Sequence, residues 1–250
     1  MTMEGNFSDF RSRTVVWVDD LVNLTTAIGR VEHRQKGHLG TTFRVLADNI
    51  SSRLGGGKVL LTALHVVRDY ADFRSMELRD IVVRLDRRNR QEGIKVTLVW
   101  WSEIADVAIL RLQSEPSMAN LKLGEADVLP LARTEVPVKV KTEDGDWRNS
   151  RLFPVGFPRG GEMCIPLEET RFTERVNVGP LSLLHYLGAT APGSSGCPVI
   201  DESQKVAAIH LRYGDSTQSR VSAALLGRHH TNEGLSIPSL IQHVRNDIGL

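Results

Sequence analysis

The amino-acid sequence predicts an all-β protein made of two β-barrels joined by a long connection, with one helix at its C-terminal end. Three observations carry this. Short β-branched runs recur along almost the whole chain, separated by turns rich in Gly, Asn, Asp or Arg. One polar stretch without strand alternation, Gln113 to Pro137, divides these runs into two series and contains Pro116 and Pro130. Helical periodicity is convincing only near the end, where Leu240, Ile241 and Val244 follow Ser236-Ile237-Pro238.

The first series comprises Ala27 to Glu32, Thr41 to Leu46, Lys58 to Thr62, Ile81 to Leu85, Ile94 to Trp101 and Val107 to Leu112. The second comprises Val136 to Lys141, Arg151 to Gly156, Arg171 to Val178, Leu181 to Leu187, Val199 to Ile200, Val206 to Leu211 and Arg220 to Leu225. Gly55-Gly56-Gly57 reads as a hairpin turn or flexible loop. The expected organisation is an N-terminal extension over 1–23, a first barrel over 24–115, a linker over 116–135, a second barrel over 136–237 and a helix over 238–250.

At 250 residues the chain can bury a substantial core without metals or disulfides. Lys and Arg number 31 against 30 Asp and Glu, so the charge balance favours neither nucleic acid nor an acidic membrane surface. The only cysteines, Cys164 and Cys197, cannot make the multi-bridge framework of a small secreted scaffold. The longest apolar run near the start, Val15 to Val18, is too short for a signal-peptide core, and no apolar stretch is long enough to span a membrane. A cytoplasmic location is expected. No Cys/His spacing resembles zinc ligation, and the adjacent His229-His230 would point oppositely on a strand. No metal and no cofactor are expected.

Three segments carry chemistry. His65 follows the apolar run Leu61-Thr62-Ala63-Leu64, Asp106 opens the strand Val107 to Leu112, and Ser195 lies within Gly193-Ser194-Ser195-Gly196-Cys197-Pro198. A serine hydroxyl is a poor nucleophile until an imidazole accepts its proton, and a buried aspartate can fix that imidazole's tautomer. Taken singly, His65 reads as a strand-end histidine and Asp106 as a turn aspartate. The order His, Asp, Ser is that of two-barrel serine proteases and differs from other triad folds.

These segments resemble the trypsin-like, chymotrypsin-fold peptidases, closest to the bacterial branch with the high-temperature-requirement and glutamyl endopeptidases. Gly40-Thr41-Thr42-Phe43, Val155-Gly156-Phe157-Pro158 and Asn232 to Pro238 also resemble family segments, so the likeness covers roughly residues 24 to 245. The resemblance implies two six-stranded antiparallel β-barrels, a catalytic triad of His65, Asp106 and Ser195, and an oxyanion hole from the Gly193 and Ser195 N–H groups. It also implies a polypeptide substrate and latency until a regulatory partner or effector acts. Ser194 stands where the digestive branch has an aspartate, so activation by zymogen cleavage is not expected. Cys197 replaces a usual glycine.

Specificity in the family is set beside the nucleophile. Ala189, six residues before Ser195, offers no carboxylate for a basic side chain. Thr190 and His210 resemble the pair that binds acidic P1 residues in glutamyl endopeptidases and P1 Gln in viral cysteine relatives. A hydroxyl and an imidazole suit a carboxylate or a carboxamide. An acidic P1, Glu over Asp, is the expectation. Two alternatives stay open: a neutral or aromatic P1 with His210 packed as a structural residue, and a catalytically silent binding module.

Overall fold

Val, Ile, Thr and aromatic residues suit a pleated, half-buried surface, and the strands form where these runs occur. In the computed structural model, which describes residues 15–85, 92–115, 127–142, 145–214 and 231–249, the first sheet holds β1 (Ile28–His33), β2 (Gly37–Leu46), β3 (Lys58–Ala63), β4 (Ala71–Asp72), β5 (Glu77–Arg84), β6 (Ile94–Ser102) and β7 (Val107–Leu112). Its order is β1-β2-β3-β7-β6-β5-β4, and β1 also pairs with β5, setting Val31 opposite Val83. This pairing closes six strands into an antiparallel barrel and leaves β4 as an appendage. Closure removes the sheet edge, and buried side chains such as Ile28, Val31, Phe43, Leu61 and Ile109 form the core.

A short hairpin of β8 (Lys139–Lys141) and β9 (Trp147–Asn149) precedes the second sheet. That sheet holds β10 (Leu152–Pro154), β11 (Phe172–Val178), β12 (Leu181–Tyr186), β13 (Pro198–Asp201), β14 (Val206–Gly214) and β15 (Thr231–Ser236), in the order β10-β13-β14-β15-β12-β11. A bridge between Arg151 and Arg171 joins its two outer strands, with Leu152 N donating to Thr170 O at 2.7 Å and Phe172 N to Ser150 O at 2.8 Å. The second sheet thereby curls into the second barrel. The expected strand at Arg220 to Leu225 and the pair His229-His230 lie outside the described residues.

Helix α1 (Val15–Leu24) occupies what the sequence presents as an extension. Its Trp17 packs against Phe153 of β10, the rings 5.2 Å apart and tilted by 55°, and donates its indole N–H to Glu202 O at 3.0 Å, so helix α1 is pinned to the second barrel. Helix α2 (Leu64–Val67) is one turn after β3. Helix α3 (Ile237–Asp247) is capped by the Ser236 hydroxyl, carries Pro238 in its first turn, and buries Ile237, Leu240, Ile241 and Val244. The connection is packed where it is described: Leu129 N donates to Arg44 O at 2.8 Å, and Leu131 bridges to Val206. Among the described residues no helix is long and apolar enough to cross a membrane, and no cluster of His, Cys, Asp and Glu suits a metal ion.

Candidate active site

His65 is set by the end of β3. The strand stops at Ala63, and α2 turns the imidazole out of the first barrel into a cleft between the barrels. Asp106, at the turn before β7, has φ +53°, a left-handed conformation that aspartate tolerates better than most residues. This turn lets one carboxylate hold His65 twice. Oδ1 accepts the His65 backbone N–H at 3.0 Å, and Oδ2 accepts from the ring Nδ1 at 2.9 Å. Burial pushes the Asp106 carboxyl up, but the hydrogen bonds and charge of His65, with Arg212 nearby, bring it below its ordinary value. The proton on Nδ1 leaves Nε2 with its lone pair facing the cleft.

Ser195 stands in a turn anchored to both barrels. Thr41 of β2 donates its N–H to Ser195 O at 2.8 Å, and Gly196 N donates to His210 O at 2.8 Å. Gly196 has φ +83°, and a Cβ there would lie 2.3 Å from Thr41 O and 2.4 Å from Thr62 Oγ1. Only glycine fits. The Thr41 hydroxyl donates to Gly193 O at 2.9 Å and accepts from Phe157 N at 3.2 Å, while Arg159 N donates to Pro192 O at 2.6 Å. Holding the Pro192 carbonyl away turns the Gly193 N–H the other way, because a peptide plane carries its two polar groups trans. Among the described residues no backbone acceptor takes the Gly193 or Ser195 N–H. The Ser195 hydroxyl itself donates to Leu211 O at 3.4 Å, and among the described residues no hydrogen bond joins it to His65.

One cleft is thus lined by His65, Asp106 and Ser195, together with Thr190, His210 and Arg212. The trypsin-like peptidase domain family matches residues 40–209, two thirds of the chain, within which all three lie. The chain belongs to the trypsin-like peptidase domain family. Solved structures are similar across nearly its whole length. The inactive form of the Rv3671c protease has 16% identity and a TM-score of 0.59, covering 95% of this chain and 97% of that one. The active form, from M. tuberculosis, has 17% identity and the same TM-score of 0.59, covering 100% and 95%. A serine endoprotease from Yersinia pestis has 14% identity and a TM-score of 0.58, covering 95% and 67%. No curated protein matches the sequence.

In this trypsin-like peptidase the residues flanking Ser195 are buried. Ser194 is buried, and its hydroxyl accepts from Ala191 N at 3.2 Å, a local tie needing no new N-terminus. Cys197 is a buried free thiol whose pKa burial pushes far up, which leaves it protonated and unreactive. Cys164 is free and exposed.

The expected specificity residues divide. Thr190 and His210 line the cleft, whereas Ala189 is exposed and outside its lining. The chain leaves β12 through Gly188 at φ +148°, which turns the next residue outward. His210 is buried, its Nδ1 2.7 Å from the Tyr186 hydroxyl. Burial, then the charge of His65, pulls its pKa down to about 3, so the ring is neutral at neutral pH. Asn232 gives Nδ2 to Gly188 O at 2.8 Å, which fixes its amide orientation and leaves Oδ1 to accept the Thr190 hydroxyl at 2.5 Å. Sequence reasoning found neither Asn232 nor Tyr186, which lie outside the cleft lining and hold Thr190 and His210 within it. Their signal is cross-strand placement, since Tyr186 and Asn232 are paired residues on β12 and β15.

Proposed function

We propose that this serine endopeptidase works through Ser195 as nucleophile, His65 as general base and Asp106 as the group that orients the base. The observation that carries the reading is the two-point hold of Asp106 on His65 in the cleft that also contains Ser195. Activation begins with a rotation of the Ser195 side chain. Its hydroxyl leaves the Leu211 carbonyl and donates to His65 Nε2, and Leu211 O is freed to accept an N–H from the substrate backbone. His65 takes the hydroxyl proton as Oγ attacks the peptide carbonyl, then returns it to the leaving amine. Asp106 stays ionised and stabilises the imidazolium. The carbonyl oxygen becomes an oxyanion facing the Gly193 and Ser195 N–H groups, and losing one such donor typically costs about 10²–10³ in kcat. Water then cleaves the acyl-enzyme by the same proton path.

The test is covalent labelling. A fluorophosphonate should modify Ser195, and both labelling and peptide hydrolysis should vanish in Ser195→Ala. Loss of hydrolysis without labelling of the parent chain would support a silent binding module instead.

For P1 we propose a polar side chain of glutamyl length. Glutamate is supported by the resemblance of Thr190 and His210 to the glutamyl-endopeptidase pair and by Arg68 and Arg212 in the cleft lining. One observation favours glutamine as a second reading. With its proton committed to Asn232, Thr190 offers a lone pair, while a neutral His210 with Tyr186 on Nδ1 offers one N–H donor. A donor beside an acceptor complements a carboxamide. Comparing kcat/KM for peptides differing only as Glu or Gln at P1 decides between them.

A further inference from the structure

Four charged side chains stand in a row across four neighbouring strands of the second barrel. Strand pairing sets Glu174 of β11 opposite His185 of β12, His185 opposite Glu233 of β15, and Glu233 opposite Arg212 of β14. Their side chains meet: His185 Nδ1 is 3.0 Å from Glu174, His185 Nε2 is 3.4 Å from Glu233, and Arg212 Nε is 3.0 Å from Glu233 Oε1. The row runs from Glu174 at the surface, through buried His185 and Glu233, to Arg212 in the wall of the catalytic cleft. Proton transfer between Ser195 and His65 needs none of these four.

A buried carboxylate is costly unless it is paired, and Glu233 has a partner on each side. What the row achieves is the placement of a guanidinium. Glu233 Oε1 lies 3.0 Å from Arg212 Nε as an ion pair without hydrogen-bond geometry, and among the described residues no hydrogen bond engages the Arg212 side chain. The outer edge of the fork keeps parallel N–H donors suited to a carboxylate. Arg68 lines the same cleft and has a buried Nε without a partner, so a second cation adds to the field there. Asp106 supplies the acid of that lining, and His65 already occupies it.

We infer that Arg212 is a specificity-determining residue that receives an acidic side chain at P2 of the substrate. The inference rests on the proposed function in two respects, that a polypeptide crosses the Ser195 cleft in extended form and that its P1 side chain is directed at Thr190 and His210. Successive side chains of an extended chain point in opposite directions. With P1 directed at Thr190 and His210, P2 turns toward His65 and Asp106, and Arg212 is close enough to Asp106 for its charge to act on that carboxyl.

The test is equilibrium binding of tetrapeptides with free C-termini, matched at P1 and carrying Glu or Ala at P2, to the Ser195→Ala chain. No hydrolysis is involved, so failure of the nucleophile assignment and failure of this one are separable. Glu at P2 should bind at least about tenfold tighter than Ala. Arg212→Lys should keep most of that preference. The double variant Arg212→Gln/Glu233→Gln, which leaves no unpaired buried charge, should reduce it to within about threefold. Unchanged binding of the Ala peptide checks that the cleft is intact. A Glu-to-Ala ratio that survives the double variant would overturn the assignment, as would a loss confined to peptides varied at P1.

Discussion

The hydroxyl of Thr41 donates to the carbonyl of Gly193 at 2.9 Å, and that contact joins a strand of the first barrel to the Gly193–Ser195 turn of the second. The same oxygen accepts from Phe157 N, so replacing it leaves that N–H without its acceptor and Gly193 O with only the long contact to His38 Nε2 at 3.4 Å. Each unmet group costs about 1–3 kcal/mol. Thr41→Val should lower kcat about tenfold or more with little change in KM, because it loosens the turn that carries the proposed oxyanion donors, which matter only once charge develops. Steady-state kinetics with active-site titration provides the measurement, and an unchanged kcat would show that Gly193 is held well enough by its other neighbours.

Removing the proposed nucleophile should cost activity and almost no stability. The Ser195 hydroxyl makes one long contact, 3.4 Å to Leu211 O, so Ser195→Ala should unfold at nearly the parental denaturant concentration. His65→Ala should be as severe for hydrolysis, and the double variant no worse than either alone, since the residues act as a unit. Multiplicative losses would mean that they work separately.

Gly196→Ala should destabilise by about 3 kcal/mol or more, because the added Cβ meets backbone of β2 at 2.3 Å and needs a left-handed conformation. Urea unfolding reads this directly. A loss below about 1 kcal/mol would mean that the turn relaxes, and the Ser195 carbonyl would then have moved from Thr41.

Two buried histidines should give opposite limbs to stability against pH. Burial lowers the pKa of His185, but Glu233 and Glu174 outweigh it and raise the net value above normal. Its contribution is complete below the unfolded value near about 6.5 and fades as pH rises through the higher folded value. His210 is depressed to about 3 by burial and then by His65, so the unfolded chain binds a proton there that the folded one does not. Stability therefore falls as pH drops below about 6.5. His185→Gln should flatten the alkaline limb and His210→Gln the acidic one, measured as unfolding free energy from about pH 4 to 8.5. A variant that leaves its own limb unaltered would contradict the environment described for that ring.

His210→Ala should lower kcat/KM at least about tenfold for peptides with Glu or Gln at P1, and much less for Ala at P1. Because His210 is already neutral, the Glu-to-Gln ratio should not change between about pH 5 and 8 through this residue. A ratio that swings toward Glu as pH falls would indicate that the imidazole becomes charged when substrate binds.

The triad candidates were legible because His65, Asp106 and Ser195 each sit at a strand end or glycine turn, in an order that few folds use. Strand positions were legible from β-branched runs, and the closing helix from its cap and its apolar spacing. Helix α1 was not, since Val15, Val16 and Val18 are β-branched and largely exposed, and the helix is held by Trp17 reaching a distant barrel. Ala189 faces out because of a glycine conformation that composition does not encode. The direction of the Thr190 hydroxyl depends on Asn232, 42 residues later, and the row from Glu174 to Arg212 exists only once four strands are in register.

The anchoring of Ser195 on Thr41 has a consequence in time. The donor strand is made early in synthesis and the nucleophile turn more than 150 positions later, so the cutting edge is cast against a mould that already exists. A half-made chain carries His65 and Asp106 with nothing to attack, and an isolated second barrel carries a serine whose turn has lost its template. On the proposed mechanism, peptidase activity requires the two halves to be docked, and a change that loosens that seam should silence it without touching His65, Asp106 or Ser195.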